Sequence, residues 1–135
     1  MSRIFNSILV VMLLNSGFSY AQDYPCISGK ISQLEFGKIK SEKAEYCFNE
    51  DKTVLISKGC QSMNCNAFKG LRKYKIEELF SSMGKPGFKL CRELGGQPQI
   101  IDFYVDNHPY KLDRCLFSDG EFVDTGYLLA FYLKN

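Results

Sequence analysis

Six cysteines, one histidine and a scatter of carboxylates are the residues in this 135-residue chain whose types could do chemistry. The cysteines are Cys26, Cys47, Cys60, Cys65, Cys91 and Cys115. Thiols serve as nucleophiles, metal ligands or disulfide partners, and spacing separates these uses. Cys60 and Cys65 make a C-x4-C pair, which is not the C-x2-C of a thiol oxidoreductase. A tetrahedral zinc site would need a second close pair, or more histidine than the single His108. No metal site and no cofactor site is therefore expected. An even number of cysteines behind an export signal reads as a disulfide framework. Six cysteines allow fifteen pairings, and sequence alone does not select one. Nearness favours Cys91–Cys115 and Cys60–Cys65, which leaves Cys26–Cys47. In the chain-entropy model the first is worth about 3 to 4 kcal/mol and the second about 2 kcal/mol.

A nucleophile with its base is not found. His108 lies in "DNHPY" with Asp106 two residues before it and no serine nearby, so it reads as a hydrated turn residue rather than a general base. Asp102, Asp113, Asp119, Glu121 and Asp124 crowd one stretch, and two of them could form an acid and base pair. Each also has a simpler use: Asp119 suits a turn, Asp124 a helix cap, and Asp102 and Asp113 the polar faces of strands. No catalytic residue is assigned, and the chain is read as a non-enzyme. Tyrosines carry an apolar body and a polar tip, which makes them anchors in recognition surfaces. Tyr104, Tyr110, Tyr127 and Tyr132 are the candidates for a binding face if they are exposed together.

The elements that position these residues follow from pattern. Residues 1–21 have a charged start at Arg3, an apolar run from Ile8 to Leu14 and small residues ending at Ala21, the order of a secretory signal peptide. The apolar run is shorter than the roughly 20 residues of a bilayer span. No second long apolar run follows, so no transmembrane segment is expected after cleavage. Net charge is +2, and all of the signal's charge is Arg3. Such a balance argues against a nucleic-acid partner. The basic cluster Lys69 to Lys75 reads as a solvated connector.

Residues 22–68 read as β-rich. "AEYCFN" and "TVLISKGC" flank a turn at "NEDK", and an edge strand is expected around Lys30 to Leu34. Residues 75–135 read as helix, hairpin and helix. Ile76, Leu79, Phe80 and Met83 make a helical stripe ending at Gly84. A second helix starts at Pro86, carries Cys91 and stops at Gly95 or Gly96. "QIIDFYV" and "YKLDRCLF" form strands joined by a turn at "DNHP". Asp124 then caps a last helix that ends near Lys134. The expectation is one small α+β domain, stapled by disulfides, with antiparallel hairpins and two to three short helices.

"KPGFKLCRELGGQPQI" followed by "RCLFSDGEFVD" resembles a small secreted bacterial family of unknown function labelled as haemolysins. Its pattern is a proline-started helix bearing a cysteine, then Gly-Gly, a strand, and a second cysteine in a Cys-x-Phe-x-Asp-Gly turn. Cys91, Gly95, Gly96, Cys115, Phe117, Asp119 and Gly120 follow that order. The resemblance covers about the last 50 residues. Family members usually carry an acidic, tryptophan-containing segment after the turn, whereas this chain has no tryptophan and "DTGYLLAFYL" stands there. The label implies no mechanism. The functional expectation is an exported binding module, periplasmic or extracellular, with a protein or a cell-envelope component as partner, and an inhibitor as the form that fits best. A hydrolase of envelope polymers using a carboxylate pair, or a structural envelope protein, are the alternatives.

Overall fold

The computed structural model describes residues 23–82 and 84–134. The export signal expected over residues 1–21 lies outside the described residues, as does Met83. Among the described residues six strands form: β1 (Cys26–Glu35), β2 (Lys38–Phe48), β3 (Leu55–Ser57), β4 (Gln97–Val105), β5 (His108–Leu116) and β6 (Phe122–Asp124). They close antiparallel in the order β1-β2-β3-β6-β5-β4. Two helices, α1 (Pro86–Glu93) and α2 (Thr125–Tyr132), and three single 3-10 turns complete a small α+β domain.

Strand alternation sorts the apolar residues into two cores. Ile31, Tyr46, Phe48, Leu55, Ile101, Phe103 and Phe122 point inward and fill the barrel. Cys47, Ile56, Cys115 and Val123 point outward from the same walls, onto Leu79, Leu90, Cys91, Leu128 and Tyr132. The barrel thus has one wall buried on both faces, which is why Leu55 and Ile56 are both hidden. Gly29 makes room inside, since a Cβ there would lie 2.1 Å from the Tyr46 hydroxyl.

Three disulfides, Cys26–Cys47, Cys60–Cys65 and Cys91–Cys115, staple the elements. Cys91–Cys115 pins α1 to β5, and Gly96 packs against it so tightly that a Cβ would lie 2.3 Å from the Cys115 sulfur. Gly95, at φ +85°, is the left-handed residue that ends α1. Asp124 caps α2 by accepting the Tyr127 N–H at 2.8 Å.

Four expected details differ. The stripe of Ile76, Leu79, Phe80 and Met83 makes only a 3-10 turn over Ile76–Leu79, with Phe80 extended and 62% exposed. Lys75 offers no side-chain cap there, and a segment this short does not hold a helix without one. The strand expected around Lys30 to Leu34 is there, but as part of β1, paired with β2 throughout and with β4 at Ile31 and Ser32 rather than lying at a sheet edge; the β1–β2 hairpin turns at Phe36 and Gly37, both at positive φ. The "DNHP" turn is only Asp106 and Asn107, again both at positive φ, the two-residue turn that matches strand twist. His108 and Pro109 belong to β5, opposite Val105 and Tyr104. Lys134 falls outside α2, where the chain instead runs beside Tyr74 through a Lys134 N–H to Tyr74 carbonyl bond of 2.8 Å.

Candidate functional site

β3 and β6 are only three residues long, while β1, β2, β4 and β5 have nine to eleven. One wall of the barrel is therefore low, and the long strands rise above it. β1 pairs with β4 only at Ile31–Phe103 and Ser32–Asp102, and β2 pairs with β3 only from Tyr46 to Phe48. The β1–β2 hairpin beyond these points is a two-stranded arm. Its free β2 edge carries Lys38, Lys40, Glu42, Lys43 and Glu45, the charge pattern that discourages another strand from adding on.

The outer side of the arm is apolar. Leu34 and Ile39 face each other across the hairpin and are 73% and 76% exposed. Continuing the β1–β4 register brings Ile100 beside Leu34, and these residues with Asp102, Tyr104 and Lys111 line one shallow cavity. At the tip Phe36 is 97% exposed at φ 51°. A bulky residue in the left-handed region costs about 1–2 kcal/mol. No burial of the Phe36 ring offsets that cost.

The inner side of the arm is polar and roofs a cup at the barrel mouth. Gln33, Glu35, Lys40, Glu42, Gln97, Gln99 and Arg114 line it above Ile31 and Leu116, around a cavity of about 260 Å³. Arg114 shares the inward register of Tyr110, Leu112 and Leu116 and is 2% exposed. Its guanidinium lies over the Phe122 ring, 4.8 Å from the centroid. Nε donates to Gln99 Oε1 and Nη2 to Glu42 Oε1, both at 2.9 Å. Nη1 is buried and has no partner. A buried donor without an acceptor costs about 1–3 kcal/mol, more when charged, so this arginine is an expensive thing to put inside a barrel.

The tyrosines named from the sequence do not form one face. Tyr132 is fully buried, its hydroxyl donating to the Ala67 carbonyl at 2.6 Å. Tyr110 points inward against Phe103, with ring centroids 5.6 Å apart. Tyr127 packs on Phe68 under α2. Only Tyr104 lies beside the apolar side of the arm, with the Lys30 ammonium 4.1 Å over its ring.

The carboxylates are likewise in separate structural uses. Asp102 pairs with Lys111 at 3.5 Å and Asp113 with Lys85 at 2.9 Å. Asp119 accepts the backbone N–H groups of Asn66 and Glu121. Glu121 lines a different cavity from the one beside Asp102. Asp124 accepts from the Leu55 and Tyr127 N–H groups, and burial pushes its carboxyl up to about 6 against the pull of those bonds. His108 is exposed, its ring against Tyr110.

Sequence reasoning passed over Arg114 and Phe36. The first had a signal: in "YKLDRCL" it is the one charge on the apolar register. The second had only the glycine after it. No family model, no curated protein and no solved structure matches the chain. Among the described residues no helix is long and apolar enough to cross a membrane.

Proposed function

We propose that the mature chain is an exported, non-enzymatic binding module that engages a partner protein, as an inhibitor would, through the outer face and tip of the β1–β2 arm. The observation that carries this reading is Phe36, held almost fully in solvent in a backbone conformation that disfavours it, between the exposed Leu34 and Ile39. Strain kept at a surface position that gains nothing from packing points to recognition. Full burial of each such side chain is worth about 1.5–3 kcal/mol, so Leu34, Phe36, Ile39 and Ile100 together would supply about 6–12 kcal/mol, the same order as an association cost of about 4–15 kcal/mol. The disulfides and a two-residue turn keep the arm formed before binding, which lowers the ordering cost.

The test is capture from envelope and culture fractions of the source cells, using the oxidised chain from residue 22 onward. A triple variant, Leu34→Ser, Phe36→Ser and Ile39→Ser, is the folded control. A partner recovered in near-equal amount by the parent and reduced at least tenfold by the variant supports the reading. A partner held equally by both, or none, rejects the arm as the binding face.

A further inference from the structure

The cup behind the arm is built independently of the apolar face, and we infer that it binds a small molecule through a carboxylate group seated on Arg114. Three observations converge. First, Arg114 is buried, lines the cup and keeps one nitrogen, Nη1, without an acceptor. A guanidinium presents planar N–H groups whose spacing matches carboxylate oxygens. Second, the chain already places a carboxylate on this group. Glu42 accepts from Nη2 at 2.9 Å, yet its side chain is 54% exposed. It can leave for solvent without moving the barrel, and Gln99 holds Nε in place meanwhile. Lys40, on the rim, has only a 3.7 Å pairing with Glu35 and is 71% exposed, so it is free to turn toward an incoming anion.

Third, size and lining select the class. A cavity of about 260 Å³ takes a molecule of amino-acid dimensions. Its lining residues are amide, charged and aliphatic side chains with one serine and no aromatic ring. A sugar or a nucleobase would lack the stacking surface such groups use. Lysine, arginine and two glutamates together leave the cup with both signs, which suits a carboxylate carried by a polar or zwitterionic molecule better than a multiply charged phosphate.

The experiment titrates N-acetylglycine, and N-acetylglycinamide as its uncharged twin, into the oxidised chain from residue 22 onward, following the Arg114 Nε–H signal by NMR. The acid is expected to shift that signal saturably, with the amide at least tenfold weaker. Glu42→Gln removes the competing carboxylate while keeping an acceptor for Nη2, and should tighten binding of the acid several-fold. Arg114→Lys should lose binding at least tenfold. Where that variant does not fold, the Glu42→Gln result decides alone. Phe36→Ser should bind the acid as the parent does, which separates this site from the partner-binding face. Acetyl-triglycine tests the size of the ligand: exclusion supports a free small molecule, and comparable binding would overturn that in favour of a peptide C-terminus. Equal responses to acid and amide, no movement at Arg114, or weaker binding in Glu42→Gln would overturn the assignment.

Discussion

Asp124 shows how one side chain joins fold and solution conditions. Its two oxygens take the N–H groups of Leu55 on β3 and Tyr127 at the start of α2. Burial outweighs those donors and raises its carboxyl from 3.8 to about 6. A raised value means that the folded state holds the proton more tightly than the unfolded chain does. The stabilisation is therefore complete below about pH 4 and is lost as pH rises through about 6. The change corresponds to about 3 kcal/mol. In urea unfolding, stability should fall more steeply from pH 4 to 7 in the parent than in Asp124→Asn, which does not titrate. Parallel pH profiles would contradict the burial argument. At pH 4, where the parent carboxyl is protonated and, like the asparagine amide, keeps one full acceptor oxygen, the two should agree in stability to within about 1 kcal/mol. At Gly96 the constraint is space rather than charge. Gly96→Ala drives a methyl into the Cys91–Cys115 bridge and should cost about 1–3 kcal/mol. Gly95→Ala meets open space but a left-handed backbone, and should cost about 1 kcal/mol. Thermal melts of the pair rank the two effects.

At the scale of elements, what could be read in advance followed residues with strong local rules. Pro86 and Gly95 bracket α1 because each has a positional preference, proline in the first turn and glycine just past the last. Asp124 marked the start of α2 for the same reason. The six cysteines lie in the two pairs that nearness favours and the third pair that these leave. Ile76, Leu79 and Phe80 misled, since helical spacing says only which residues would share a face if a helix formed. The β1–β2 turn was hidden because Phe36 stands where asparagine or aspartate usually signals a two-residue hairpin. That same departure gives a test of the arm. Phe36→Asn suits the left-handed turn and should raise stability by about 0.5–1 kcal/mol while weakening partner binding. A residue kept for the fold would give loss in both, so a stability decrease in this variant would remove the case for the arm. β6 was also illegible: three residues have no periodicity to read, and Phe122–Asp124 is a strand only because β3 and β5 flank it.

For the whole molecule, the decisive feature is that the barrel is assembled from two halves and no disulfide joins them. β1, β2 and β3 carry Cys26–Cys47, with Cys60–Cys65 just after them, while Cys91–Cys115 lies within the second half. In the barrel wall the strands of the two halves pair along two short seams, one backbone pair at Ile56–Val123 and two between β1 and β4. Side chains reinforce both. Tyr46 on β2 reaches through the barrel to donate to the Tyr104 carbonyl on β4 at 2.6 Å, with the Lys30 carbonyl at 3.3 Å. The Phe122 N–H donates to Ser57 Oγ at 2.9 Å, and the Leu55 N–H to Asp124. Bridges that constrain each half leave the seams as the places where the native state should open first. Native-state hydrogen exchange should accordingly find the amides of Leu55 and Phe122 opening at lower free energy than those at the centre of the β4–β5 hairpin. Tyr46→Phe keeps the ring and removes the bond across the β1–β4 seam. It should lower the opening free energy there by about 1–1.5 kcal/mol and leave exchange within the β4–β5 hairpin unchanged. If all of these amides instead exchange at one common free energy, and shift together in Tyr46→Phe, the barrel unfolds as a single unit and the seams are not its weak points.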